Sequence, residues 1–342
     1  VVDLCRKWAK LKNKNTNWII RQGIKKLPEE KHEELKLRWP EALPSQDEFV
    51  RLIQEELRAV EQEKTLKVEA DEQISDILTN SDPDSVKAVQ DALSTFLDAR
   101  RRLTLLPYSW MTESLRDVLC RNSAIWKELV RVTKEVITSI EPLVEIADNN
   151  SIEISDTTDI RTLYEDALKL KEHLENGGKL GWGPFRPKTV KERIHVIKTV
   201  RIGGHSPSTV EHLSVLCGAL RVRIECEKAW NFWKGWADKT PGPYALQLTA
   251  LKSMCNALED ALSLDNLIEK CCEAIRHCAA ISELDWTDES QVEKFIASCR
   301  LAQVRHHKRL VAEKIKSIEN LLEAAKSVEE KLKEVEQNKI YT

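Results

Sequence analysis

Residues 177–188 read GGKLGWGPFRPK, and this stretch invites two kinds of chemistry. A lysine behind glycines can belong to a loop whose backbone amides wrap a phosphate, whereas aromatic rings interleaved with base suit a nucleic-acid contact. The first reading fails on spacing. A phosphate loop of the form G-x-x-x-x-G-K-[ST] ending at Lys179 needs glycine where His173 stands and a hydroxyl where Leu180 stands. Nor does the chain contain a G-x-S-x-G elbow, an H-E-x-x-H pair or a Cys-His nucleophile signature, so the sequence is read as non-catalytic and without a cofactor.

The second reading draws on Lys179, Trp182, Phe185 and Arg186 and on the basic segment behind them. If residues 188–201 form one helix, Lys188, Lys191, His195 and Lys198 fall within roughly a quarter-turn, opposite Val190, Ile194 and Ile197. Those residues make a candidate nucleic-acid surface. The competing reading is a tight interhelical turn in which Trp182 and Phe185 plug the core and the lysines are ordinary solvated surface. A second aromatic group, Trp230, Phe232, Trp233 and Trp236, poses the same choice. Trp230 and Trp233 continue the helical stripe of Leu220 and Ile224, which favours core, yet four large rings in seven positions cannot all face inward. Trp230, Trp233 and Trp236 are therefore kept as a candidate partner surface.

The nine cysteines mostly sit on apolar stripes, as Cys217 does among Leu213, Leu216 and Leu220. Cys271, Cys272, His277 and Cys278 cluster but lack the paired spacing of a zinc site, so no metal is expected. The 53 basic and 56 acidic residues leave a net charge of −3, so affinity for a polyanion must be local rather than global. No apolar run approaches the ~20 residues that span a bilayer. A soluble, cytoplasmic protein is expected, and the start at Val1 implies a longer parent.

These groups must be positioned by helices. Gly and Pro number only 10 and 11 while 32% of residues are charged, the balance of long solvated helices rather than of a sandwich or a doubly wound sheet, which makes a helical protein the default. The pattern predicts helices over 45–78, opened by a Ser45–Glu48 capping box with Phe49, Ile53, Leu57 and Val60 inward; over 84–106; over 112–146; and over 158–175. After the basic helix come one opened by a Ser208–Glu211 box, then 244–284 and 288–338. Residues 148–159 read as a loop in which 152–154 could be extended. Val304, Val311, Ile318, Ala325 and Leu332 recur every seven residues, joined later by Leu321, Val328 and Val335. This seam predicts a coiled coil with 45–78 as its antiparallel companion. The expected fold is all-α, an elongated helical bundle with a long antiparallel coiled-coil stalk. Its segments are 1–44 near the stalk base, 45–157 as first arm and helices, 158–237 as a central subdomain carrying the turn, and 238–342 as the returning helices.

The run LKLKEHLENGGKLGWGPFRPKTVKERIHVIKTVRIGGHSPSTVEHLSVLCGALRVRIECEKAWNFW, with the earlier LRWPEALPSQDEF, resembles the helical region embedded in very large bacterial superfamily 1 DNA/RNA helicase-like ATPases. The resemblance implies a coiled-coil-bearing insertion in the first motor lobe, between the phosphate-binding and Walker B motifs, both lacking here. It implies the parent's motor domains as partners; the basic and aromatic residues add DNA or RNA, the second aromatic group a further protein, and the lack of a long apolar run leaves no membrane among the expected partners. The competing class is an independent cytoplasmic scaffold that dimerises through 301–338.

Overall fold

The computed structural model describes residues 46–155, 159–278 and 284–340; the 1–44 segment and Ser45 of the first capping box lie outside them. The described residues are mostly helical, with two short strands among them, so the all-α expectation stands. Backbone contacts divide the chain into two units, one holding the described residues up to Ser94 and from Lys270 onward, the other Thr95–Glu269. Both borders fall inside long helices, where composition leaves no mark.

The first unit contains α1 (Gln46–Leu66), α2 (Glu72–Thr79), the start of α3 (Pro83–Thr104), the end of α11 (Tyr244–Cys278) and α12 (Glu289–Ile340). The expected single helix over 45–78 is interrupted. Asp71 caps α2, its carboxylate accepting from the Gln73 and Ile74 amides at 2.9 and 3.1 Å, and an Asp at that position competes with the backbone for helical continuation. Buried Ser298 of α12 accepts from the Asp71 amide at 2.9 Å. Phe49, Leu52 and Ile53 of α1 bury against Val311 and Ile318 of α12, while Glu63 meets Arg305 and Lys308. Rising numbers on one helix thus face falling numbers on the other, so α1 and α12 run antiparallel. The buried stripe of α1 is Phe49, Leu52, Ile53 and Ala59; Leu57 and Val60, expected to face inward, are exposed. Heptad positions Leu321, Ala325, Val328, Leu332 and Val335 lie beyond the described side chains.

A charged knot closes this pairing. Arg305, whose side chain is 14% exposed, reaches Glu63 at 3.3 Å, Glu72 at 3.2 Å and Asp76 at 2.7 Å. Lys308 donates to Glu63 at 2.8 Å. The Lys308 hydrogen bond, reinforced by both cations, holds the Glu63 carboxyl below its ordinary value against the opposing effect of burial. A carboxylate depressed in the folded state binds fewer protons there than in the unfolded chain. Its contribution is full above the unfolded pKa and is lost as pH falls through the folded one.

The second unit contains α4 (Met111–Leu119), α5 (Ala124–Ile140), α6 (Val144–Asn149), β1 (Ile152–Ile154), α7 (Ile160–Glu175), α8 (Lys188–Glu192), α9 (Ile194–Thr199), β2 (Val200–Ile202) and α10 (Val210–Trp233), with the adjoining parts of α3 and α11. Trp126, Leu129, Val132, Val136 and Ile140 of α5 are buried on one face, following the sequence stripe. The predicted 112–146 helix is nonetheless broken, with Arg121 at φ 60° between α4 and α5. β1 and β2 pair antiparallel, Ile152 opposite Ile202 and Ile154 opposite Val200. The core beneath the sheet is built from Leu163, Ala167 and Leu170 of α7 and Leu213, Leu216 and Leu220 of α10; each fully buried leucine contributes about 1.5–3 kcal/mol relative to exposure. α10 is capped by Thr209, which accepts from the His212 amide at 3.2 Å, one residue beyond the expected Ser208. Asp148 caps α11 from a distance in sequence, taking the Tyr244 and Ala245 amides at 2.9 and 2.8 Å. Among the described residues no helix is long and apolar enough to cross a membrane.

Candidate nucleic-acid interface

α7 ends in a closed C-terminal motif. Gly178 N–H donates to His173 O at 2.9 Å and Gly177 N–H to Leu174 O at 3.0 Å, with Gly177 at φ 79°. This pattern needs a left-handed residue after the cap, which glycine adopts without penalty. It also gives the phosphate-loop question a geometric answer. The amides ahead of Lys179 are consumed by carbonyls at the end of a helix, where the macrodipole is negative, whereas phosphate sites are built from free amides at helix starts.

Beyond Lys179 the chain makes a tight excursion. Leu180 is partly buried against the α7–α10 core, the place the sequence offered to Trp182 and Phe185. Gly181 then turns the chain at φ 59°, so close to the returning strand that a Cβ there would lie 2.7 Å from Phe185 O. Gly183–Phe185 forms a single helical turn in which Phe185 N–H donates to Trp182 O at 3.0 Å. Trp182 and Phe185 are 72% and 74% exposed, their ring centroids 5.6 Å apart and their planes tilted by 58°. The core-plug reading of these two rings is therefore corrected: Leu180, a smaller apolar side chain nearer the helix end, takes that role.

The basic residues divide. Lys179, Lys188, Lys191 and Lys198 are exposed, while Arg186 is half-buried. α8 starts after Pro187, whose carbonyl accepts the Val190 and Lys191 amides at 3.1 and 3.0 Å, and it buries Val190 while turning Lys188 and Lys191 outward. The continuous 188–201 helix does not form. It breaks at Arg193, at φ −112° and ψ 18°, and Val200–Ile202 leaves as a strand. Asp166 of α7 holds the break: its Oδ1 lies 3.2 Å from Arg193 Nε, off the N–H direction, so the contact is an ion pair rather than an aligned hydrogen bond. Its Oδ2 lies 3.4 Å from His195 Nε2. His195 is thereby turned toward Asp166 and leaves the lysine group, and Lys198 sits on a separate helix from Lys188 and Lys191. Sequence reasoning missed Asp166, whose only signal was an acidic residue on the polar side of α7.

The second aromatic group is placed differently. Trp233 is fully buried and Trp230 5% exposed, so the partner-surface reading is corrected for both. Their N–H groups are satisfied inside, Trp233 Nε1 donating to Thr133 Oγ1 at 3.0 Å and Trp230 Nε1 to Gln247 Oε1 at 3.1 Å. Trp110, which the sequence reading did not single out, joins them with its centroid 5.2 Å from Trp233. Half-buried Trp236 and exposed Phe232 line a shallow hollow with Ile125 and Leu129.

Burial pushes the Cys271 and Cys299 thiols up to about 12 and Cys217 to about 11, the opposite of what a nucleophile or metal ligand requires. Among the described residues no group of three or more His, Cys, Asp or Glu side chains is placed to hold a metal ion. Compared with known proteins, the chain matches no family model, no curated protein and no solved structure.

Proposed function

We propose that the chain is a non-catalytic helical accessory domain of a cytoplasmic superfamily 1 helicase-like ATPase, and that its 177–198 segment contacts nucleic acid for a motor carried elsewhere. The observation that carries the contact is the pair Trp182 and Phe185, both about three-quarters exposed and flanked in sequence by Lys179, Lys188 and Lys191 in a chain of negative net charge. Two adjacent exposed rings, in contact with each other, form a contiguous apolar surface of the kind that interaction sites use. The helicase-like parent is supported by the sequence resemblance. The antiparallel pairing of α1 with α12 supports a coiled-coil stalk joining domain and motor. It counts against the scaffold that dimerises through 301–338, because Val311 and Ile318 of that seam are already covered by α1 of the same chain.

The test is fluorescence anisotropy with labelled oligonucleotides over a salt series. Binding should be insensitive to sequence and steeply salt-dependent, log K falling by roughly 0.9 per neutralised phosphate per log unit of salt on duplex DNA. Replacing Lys188, Lys191 and Lys198 together by Glu should abolish it. Absence of salt-sensitive binding at low ionic strength refutes the contact. Titration with magnesium-ATP should be flat; binding lost on Lys179→Ala would instead mark a nucleotide site.

A further inference from the structure

We infer that the 177–188 turn is a stacking site for unpaired bases, so that its ligand is single-stranded nucleic acid; this rests on the reading of the segment as a nucleic-acid contact and names which form it takes. Charge alone does not choose between strands and duplexes, because both present phosphates. The rings do choose. In a duplex the faces of the bases are covered by their neighbours, whereas an unpaired strand offers each face to a planar side chain. Trp182 and Phe185 keep most of their surface open, at 72% and 74%. Their planes diverge by 58°, which suits two bases splayed from each other and not the parallel stack of a helix.

The backbone that carries the rings is also constrained before a ligand arrives. The Phe185 amide is tied to the Trp182 carbonyl at 3.0 Å, Gly181 lets the chain pass against the Phe185 backbone, and Leu180 fixes the near end in the core. Little ordering is then required on binding, which favours affinity. Lys179 precedes the rings and Lys188 and Lys191 follow them, and all three are exposed, so cations stand in sequence on both sides of the pair, as tracking a backbone past two stacked bases requires.

The experiment compares three probes on the full chain: an oligothymidylate, an abasic deoxyribose-phosphate strand of equal length, and a duplex closed by hairpins at both ends so that no terminal base pair is open. The oligothymidylate should bind tightest, with the abasic strand weaker by roughly 10²- to 10⁴-fold, since each of the two stacked bases contributes about 10- to 100-fold. Trp182→Ala with Phe185→Ala should bring the oligothymidylate down to the abasic level and leave the other two unchanged. Trp182→Phe should restore most of the loss. If the double variant binds all three as the wild type does, or if the closed duplex binds tightest, stacking is overturned while the basic contact stands. If none of the probes binds, both readings fall together. Unchanged circular dichroism of the double variant shows that the fold is not the cause.

Discussion

Trp182 and Phe185 stand in solvent on a turn between two helices, whereas Trp233, on the last turn of α10, is wholly buried and donates to Thr133. Both groups belong to one unit and both are dense in aromatic and basic residues. What separates them is what surrounds the rings. Around Trp233 the helix continues the apolar stripe of α10 and meets Trp110, and Thr133 satisfies the indole N–H, so burial leaves no polar cost. Around Trp182 the glycines bring the chain back on itself and Leu180 has already filled the nearest place in the core. Aromatic density therefore locates an important segment without telling which way it faces.

The contrast is most severely tested by truncating one ring from each group. Trp233→Ala should destabilise the protein by about 3–5 kcal/mol, read as a lower urea midpoint, while the Trp182→Ala, Phe185→Ala double variant should stay near wild type. Equal losses from both would erase the distinction. Next in size is Gly181→Val. A branched side chain at a left-handed φ costs about 1–2 kcal/mol, and the clash with the Phe185 carbonyl should also change the tryptophan near-ultraviolet dichroism. If the variant is neutral, the turn is not fixed by close backbone approach.

Asp166→Asn comes third. It removes the charge facing Arg193 and His195, whose side chains are 16% and 35% exposed, and should cost about 1–2 kcal/mol. Arg193→Ala and Asp166→Asn should be non-additive in a double-mutant cycle, because both act on one pair. The smallest effect is expected from Lys188, Lys191 and Lys198 changed together to Glu: melting should move by no more than about 0.5 kcal/mol per site. A large loss would show that surface contacts such as the Lys188–Glu192 ion pair at 3.9 Å support the fold.

The helical class and the strongest helices were legible because their periodicity is local, as in the buried face of α5. The breaks were not, and two of them have non-local causes. Arg193 interrupts the basic segment because Asp166 draws on it, and Val200–Ile202 leaves the helix because β1 is waiting as a partner; neither acceptor is near in sequence. The α4–α5 break has no Gly or Pro at Arg121 to announce it. Of the candidate interface, residue types and order could be read directly, and exposure could not, since it depended on Leu180 taking the core position. The buried ends of Trp230 and Trp233 depended likewise on Gln247 and Thr133 from other helices.

The hydrogen bond from Lys308 to Glu63 joins residues 245 positions apart, and the unit it closes is interrupted by the whole of the other. Closing so long a loop from a flexible chain costs on the order of 5 kcal/mol before any contact offsets it. If Thr95–Glu269 folds first, most of that loop is already ordered, and α1 and α12 meet across a far shorter flexible path. The chain should then acquire its structure from the middle outward, as expected where local contacts form before distant ones. Pulse-labelled hydrogen exchange should protect the amides of α5 and α10 before those of α1. Deleting α12 should leave the middle unit folded while α1 loses its protection, which makes the central unit the nucleus and the pairing of α1 with α12 a later step.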